Sequence, residues 1–375
     1  MDDEQSPAAR GPVTGAEAPR SPASPLEDAP GAGGTLAADS RARARWQAVS
    51  HRSLQWGTGL TSVIPLAALA AMLVILLVEA IPAIRYNGWY FLTGSTWSYG
   101  NSYGGILHTG GVAHPAGARY GAWPQIAGTL ESSAIAIIVG LPIAVGAAIL
   151  LVEKAPRRVA AAIGLCIEIL AGVPSVVIGL WGLFVFGPWL ARHLYPVLAH
   201  MPNVPILNIF RGPYGPEGLL AGGLVLAAMI IPIIAATTRD LLRQVPETTK
   251  EGAEALGMTS AEVFLTVQWR WVRGGLVGAA VLGLGRALGE TIAIALVSGS
   301  NLHLASNIYG TMTTIAATIV GQLDAAQSDP SGLAVKTLAE GALVLLVITL
   351  VVNVVARLIV RRSARGASLP VGAGF

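Results

Sequence analysis

The chain has 375 residues, of which 53% are hydrophobic and only 12% charged, and its formal net charge is +3. A soluble globular domain carries roughly 25% charged residues, so this balance excludes an ordinary soluble enzyme. The absence of a dense basic patch interleaved with aromatics excludes a nucleic-acid-binding module.

In chain order, residues 1–55 form a separate regime with few large apolar side chains. They are expected to be a disordered cytoplasmic tail. The first apolar run starts near residue 59 and is long enough to remain in a bilayer, so it is read as an uncleaved anchor. About 20 mainly apolar residues are needed to cross the hydrocarbon core. Six stretches meet that length: 59–82, 125–152, 160–187, 217–236, 275–297 and 335–359. The expected fold is therefore an all-α integral membrane protein with six transmembrane helices. The membrane domain is expected over 56–360 and a short cytoplasmic tail over 361–375.

Positive charge sets the orientation. Lys154, Arg157, Arg158, Arg239, Arg243, Lys250, Arg270, Arg273 and the arginines of both tails fall on one side, against only Arg85, Arg119, Arg192 and Arg211 on the other. Both termini are accordingly expected in the cytoplasm. The external loop 83–124 combines aromatics with turn formers and suits a partly ordered domain at the headgroup level. Its His108 and His114, like His193 and His200 further on, lack metal-ligand spacing, and no metal site is expected. Cys166 lies in an apolar run and is read as a small core residue.

A cytoplasmic segment, 237–274, separates the fourth and fifth spans and has the pattern helix, break, helix. RDLLRQV forms the first piece, and Pro246 with Glu247 starts a second. Gly257 turns the chain, and Thr259 or Ser260 with Glu262 caps the restart. The segment is either a surface helix on the bilayer or a docking element for a cytoplasmic partner.

Arg286 and Glu290 stand four positions apart in GLGRALGETIAI, residues 283–294. On a continuous helix that spacing puts both on one face, about 6 Å apart along the axis. A lone charge at membrane depth costs roughly 2.5–3.5 kcal/mol even on permissive scales. One reading is structural: a salt bridge in the bundle, with Gly274/Gly278 and Gly285/Gly289 as close helix contacts. The other is transport. A guanidinium presents a planar fork of donors to a tetrahedral oxyanion, while Glu290 holds Arg286 when the path is empty and competes for it on release. Glu168 is a second intramembrane acid, either lining the same path or capping a bundle contact of Gly172 and Pro174. Glu131 is read as interfacial, and Lys336 as snorkelling from a helix end.

Glu251, Gly252, Ala253 and Gly257 resemble the EAA loop of bacterial ABC import permeases, with Gly252 in place of the second Ala. Val267 stands at the usual Ile, and Trp269 and Arg270 at the usual Leu and Pro. The stretches RGGLVGAAVLGLGRALGETIAIAL, WYFLTGSTW, GTLESSAIAIIVGLPIAVGAAILL and EILAGVPSVVIGLWGLFV narrow the resemblance to permeases of phosphate import. It implies the type I ABC importer permease fold. It also implies that this loop, around residues 247–262, forms a coupling helix that seats in an ATPase through Glu251, Gly252, Ala253 and Gly257, and that Arg286 and Glu290 lie in the translocation path. The partners it implies are a cytoplasmic ATPase dimer, a second homologous permease subunit, an external or periplasmic phosphate-binding protein and membrane lipid. No Walker A loop of the form GxxxxGK[ST] occurs. ATP and Mg are thus assigned to the partner ATPase, and this chain is expected to hold no cofactor and no catalytic residue. Two alternatives stay open: an ABC permease for molybdate, sulfate or phosphonate, and an ion-coupled secondary transporter. The latter calls for repeated halves or paired broken helices, and the sequence offers no persuasive repeat.

Overall fold

The computed structural model describes residue 61 and residues 63–200 and 210–365. The expected tail 1–55, with Arg41, Arg43, Arg45 and Arg52, lies outside the described residues, as does 366–375 of the expected C-terminal tail. Met1–Leu69 and Ala70–Phe375 form separate units. In the first, residues 61 and 63–69 are helical.

Eleven helices are named here. They are α1 (Val63–Asn87), α2 (Tyr90–Thr93), α3 (Trp123–Lys154), α4 (Arg157–Ala171), α5 (Ser175–Ala199), α6 (Leu219–Arg243), α7 (Glu247–Ala255), α8 (Ser260–Gly289), α9 (Ile292–Val297), α10 (Ile315–Gln327) and α11 (Leu333–Arg365). Six of these, α1, α3, α5, α6, α8 and α11, are long and apolar enough to cross a membrane. The all-α, six-span architecture read from the sequence is the one found.

The spans do not all fall where apolar density placed them. The third, expected as one helix over 160–187, is two pieces. α4 ends at Ala171, and the chain passes through Pro174 in an extended conformation (ψ 136°) before α5 starts at Ser175. Proline removes a backbone donor and disfavours helix in the residue before it, so Val173 and Pro174 enforce the break. α5 then runs to Ala199 through two π-turns, Gly182–Phe186 and Leu190–Leu194. The fifth span is also broken. α8 stops at Gly289, Glu290 is extended (ψ 130°), and α9 restarts at Ile292. No proline is present; the weak helix former Gly289 ends the run, and the Thr291 hydroxyl donates to the Gly289 carbonyl at 3.2 Å. The fourth span extends to Arg243, so residues 237–243 of the expected cytoplasmic segment continue the transmembrane helix.

α6 is the most enclosed span. Glycines let its neighbours approach: a Cβ at Gly140 of α3 would meet Ile230 Cγ1 at 3.0 Å, one at Gly275 of α8 would meet Leu241 Cδ1 at 2.6 Å, and one at Gly283 would meet Ile234 Cδ1 at 2.7 Å. These contacts correct the expected glycine pairs. Gly274, Gly278, Gly285 and Gly289 face open space, and the close helix contacts are made by Gly275 and Gly283.

The loop after α1 folds into two antiparallel hairpin pairs. β1 (Trp97–Ser98) pairs with β4 (Arg119–Tyr120), and β2 (Asn101–Thr109) pairs with β3 (Val112–Ala116). Gly110 and Gly111 turn the second pair, both with positive φ (60° and 81°), as a two-residue hairpin turn requires. Phe91, Val112, Ala118 and Tyr120 form a core with Leu333 and Leu338 of α11. His114 is absorbed by this packing, with Nε2 2.8 Å from Thr109 Oγ1 and its ring 4.6 Å from Tyr86. Cys166, expected in the core, is exposed, because α4 buries only Gly164.

Candidate translocation groove and coupling segment

Arg286 and Glu290 do not behave as a helical pair. The helix ends between them, with Glu290 N donating to Ala287 O at 3.4 Å, and among the described residues neither side chain takes part in an ion pair or hydrogen bond. The Nε of Arg286 is shielded from solvent and has no hydrogen-bond partner. Arg286 instead lines a groove of about 630 Å³ between α8 and α11, together with Ile233, Gly278, Val281, Leu282, Gly285, Asn353 and Arg357. Gly278 and Gly285 put no side chain into it.

Glu168 is engaged elsewhere. Its Oε1 lies 3.0 Å from Nη2 of Arg239, joining the last turn of α4 to α6 immediately before the Gly172–Pro174 break. Arg239, read from the sequence only as a loop charge, has a side chain just 12% exposed, against 56% for Glu168. Gly164 leaves room for this, since a Cβ there would sit 2.8 Å from Arg239 Nη1. Ile233 shares the groove with Arg286, and Arg239 lies six residues further along α6, about 9 Å at 1.5 Å per residue. The structure thus sets two arginines at different depths, one free and one held by a carboxylate.

The segment between α6 and α8 follows its local sequence signals closely. Pro246 precedes α7, and Gly257 ends it with φ 83°. Gly257 N donates to Glu254 O at 2.9 Å and Met258 N to Ala253 O at 3.3 Å, the paired bonds of a Schellman close. Thr259 then opens α8 with a full capping box, Thr259 N donating to Glu262 Oε2 at 2.8 Å and Glu262 N to Thr259 Oγ1 at 3.4 Å. Where the family pattern carries proline, at Arg270, the chain stays helical, and a π-turn at Phe264–Gln268 supplies the irregularity. Glu251, Gly252 and Gly257 are exposed, Ala253 is buried, and Leu256 stands 81% exposed at the end of α7. Lys250 reaches Glu153 at the end of α3 (3.6 Å) and Glu247 (3.5 Å), beside a cavity of about 660 Å³ floored by Phe264 and Gln268.

Several polar residues were not singled out from the sequence: Arg239 as a partner, Asn353, Arg357 and Glu340. Glu340 is buried in α11 and accepts from Asn87 Nδ2 at 2.8 Å. The oddity of a carboxylate inside a span was there to be noticed; its partner, 253 residues away, was not.

Six spans, two of them broken beside charged groups, and a capped helical turn protruding between the fourth and fifth define a multi-pass membrane permease. The chain belongs to the family of binding-protein-dependent transport system inner membrane components, whose pattern matches residues 140–367. It is 57% identical over 326 residues to "Phosphate transport system permease protein PstC 1" of Mycobacterium tuberculosis, covering 86% of this chain and 96% of that one. It is 39% identical over 308 residues to the PstC permease protein of Haemophilus influenzae, covering 81% and 91%. Among solved structures, a chain of a bacterial alginate ABC transporter superposes with a TM-score of 0.53 at 14% identity, covering 84% of this chain and 97% of that one. That likeness concerns the fold alone.

Proposed function

We propose that this chain is the non-catalytic permease subunit of an ATP-driven phosphate importer of the bacterial inner membrane, forming half of the translocation path. The observation that carries it is the 57% identity to a phosphate permease, sustained over 96% of that relative. Both termini lie in the cytoplasm, as the arginine distribution requires. The membrane domain is taken as residues 56–360, flanked by segments 1–55 and 361–375, with α11 continuing past the boundary to Arg365. The partners are a cytoplasmic ATPase dimer carrying ATP and Mg, a second permease subunit of the PstA type, and an external phosphate-binding protein.

Phosphate carries one to two negative charges and crosses hydrocarbon only where donors and positive potential replace its water. Arg286 supplies both. Its guanidinium has no protein partner among the described residues, so it meets an incoming oxyanion without first breaking an ion pair. Glu290, just past the C-terminal end of α8, does not line the groove that holds Arg286; in this reading it acts beyond that groove, limiting how tightly the anion is held. Glu168 and Arg239 lie deeper and act as a paired barrier that the anion must pass. Glu251, Gly252 and Gly257 form the coupling face, with Ala253 packed beneath them. Gly252 has open space around it, and Leu256 projects beside it as an apolar knob for the ATPase groove.

The test is labelled-phosphate uptake by cells lacking only this chain, complemented with the native form or Arg286→Gln at equal membrane abundance, with sulfate and molybdate as competitors. The native form restores uptake that the competitors do not affect. Arg286→Gln lowers it about 10- to 100-fold, the size expected from losing a charge-assisted hydrogen bond of about 1.5–3 kcal/mol. Uptake that sulfate or molybdate suppresses reassigns the substrate, and full uptake by the variant removes Arg286 from the path.

A further inference from the structure

The groove that holds Arg286 holds a second guanidinium. Arg357 and Asn353 of α11 face the same space of about 630 Å³, and the rest of the lining is aliphatic or glycine. Among the described residues, no carboxylate lines the groove, and neither Asn353 nor Arg357 makes a hydrogen bond or ion pair. The Nε of Arg286 is buried and unpartnered, while Asn353 is half-buried and Arg357 exposed. Polar side chains inside spans normally pair with one another or with backbone carbonyls. Three that share one groove and remain unpaired are arranged for a ligand, and two cations with a carboxamide select an anion.

The geometry also gives the groove a direction. Gly278 and Arg286 are eight residues apart on α8, about 12 Å along the axis. Asn353 and Arg357 are spaced i, i+4, so they share one face of α11, about 6 Å apart along the axis. As consecutive spans, α8 and α11 run in opposite directions, which places Arg357 toward the Gly278 end of the groove and Arg286 at the other. A water molecule occupies about 30 Å³, so the groove accommodates a tetrahedral oxyanion with part of its hydration shell.

We propose that Asn353 and Arg357 form a second oxyanion position that receives the transported phosphate from Arg286 and passes it toward the cytoplasmic side. This rests on the reading of Arg286 as a transport residue. Arg357 supplies the attraction and Asn353 an uncharged donor between the two guanidiniums. Dividing the positive charge between two positions keeps either from holding the anion too long.

The test uses the assembled transporter in inverted membrane vesicles. Cys166 is the chain's one cysteine, so Cys166→Ala with Leu282→Cys leaves this chain a single thiol, on a lining residue that binds nothing in the proposal, which is reacted with a membrane-impermeant thiosulfonate. Inorganic phosphate is expected to slow labelling several-fold, and sulfate to leave it unchanged. A labelling rate indifferent to phosphate overturns the proposal. So does labelling that slows only when the vesicles contain anionic lipid, because the groove is then a headgroup site. In parallel, Asn353→Ala and Arg357→Gln are expected to lower maximal uptake at matched abundance at least several-fold, with Arg357→Lys recovering part of the rate. A purely topological role for Arg357 predicts full rescue by lysine and native uptake in Asn353→Ala. If the native chain restores phosphate uptake and Arg286→Gln abolishes it while both α11 variants transport normally, only this second position is lost. If the native chain restores no phosphate uptake, the substrate assignment falls first.

Discussion

Gly164 and the tip of Arg239 approach each other closely. With hydrogen in place of a methyl group, the Arg239 side chain crosses α4 and reaches Glu168 at 3.0 Å, whereas a Cβ at 164 would stand 2.8 Å from its Nη1. The two ends of the pair differ in environment. Arg239 is mostly enclosed and loses much if left unpaired, while Glu168 is 56% exposed and partly screened. Glu168→Gln is therefore expected to cost about 1 kcal/mol, the upper end of the range for a solvent-exposed ion pair. Gly164→Ala should cost less, because the crowded Nη1 is the tip of a flexible side chain and alanine within a helix regains about 0.5–1 kcal/mol over glycine. Because both substitutions break one contact, the double variant is expected to be no less stable than the worse single one. Thermal unfolding of the purified complex in detergent measures this. Additive losses would mean that Gly164 acts by some route other than Arg239.

Among the elements, α7 joins the soluble side to the spans. Its two ends are fixed by residues whose signals are local, Pro246 before it and the Gly257 and Thr259 turns after it. Its orientation is fixed by a distant contact, Lys250 to Glu153 at 3.6 Å. Both side chains are largely enclosed, with exposures of 14% and 25%, which lifts the pair above an ordinary surface salt bridge. If α7 docks a partner, this contact is the place where its movement would reach α3. Lys250→Gln or Glu153→Gln should leave ATP hydrolysis running while phosphate moved per ATP falls several-fold, and the double variant should be no worse than either single one. Hydrolysis and uptake measured together in proteoliposomes decide it, and an unchanged ratio in both single variants would leave the contact without a coupling role.

The same elements show why parts of the molecule were legible in the sequence and others were not. The turn at Gly257 and the Thr259–Glu262 capping box could be read because each depends on a few adjacent residues with distinctive backbone preferences. Hydropathy gave the number of spans for the same reason, since a span is a local property. The break at Val173–Pro174 carried a proline signal, but the apolar density on either side hid it inside one continuous span. The break at Glu290 carried no proline at all, so Arg286 and Glu290 were expected to pair along a helix that ends between them. Asn353 and Arg357 were out of reach on different grounds. Each is a single polar residue in a long apolar helix, and only the placement of α11 beside α8 shows that they face Arg286.

At the scale of the whole membrane domain, the two broken spans lean on each other. α5 and α9 are the segments that follow the breaks, and they meet where Gly179 faces Ala293 and Gly182 lies between Val225 and Val297. A Cβ at Gly179 would come within 2.8 Å of Ala293 Cα, a backbone atom that cannot swing away. The contact therefore requires glycine, and a larger residue must separate α5 from α9. Any motion hinged at the two breaks, 172–174 and 290–291, would carry α5 and α9 together with α6, whose Val225 and Met229 share their core, and would need this contact closed. Gly179→Val is expected to cost about 1–3 kcal/mol, the usual size of an overpacking defect, and to reduce the chain's membrane abundance along with uptake. Arg286→Gln should do the reverse, sparing abundance and removing transport, because it takes away a ligand-facing charge that no protein group satisfies. Quantitative immunoblotting of membranes beside uptake per chain separates the two effects. If Gly179→Val accumulates normally and transports normally, α5 and α9 do not need to stay in contact and the paired movement is wrong. If it accumulates normally but fails to transport, the contact serves the motion more than the stability of the fold.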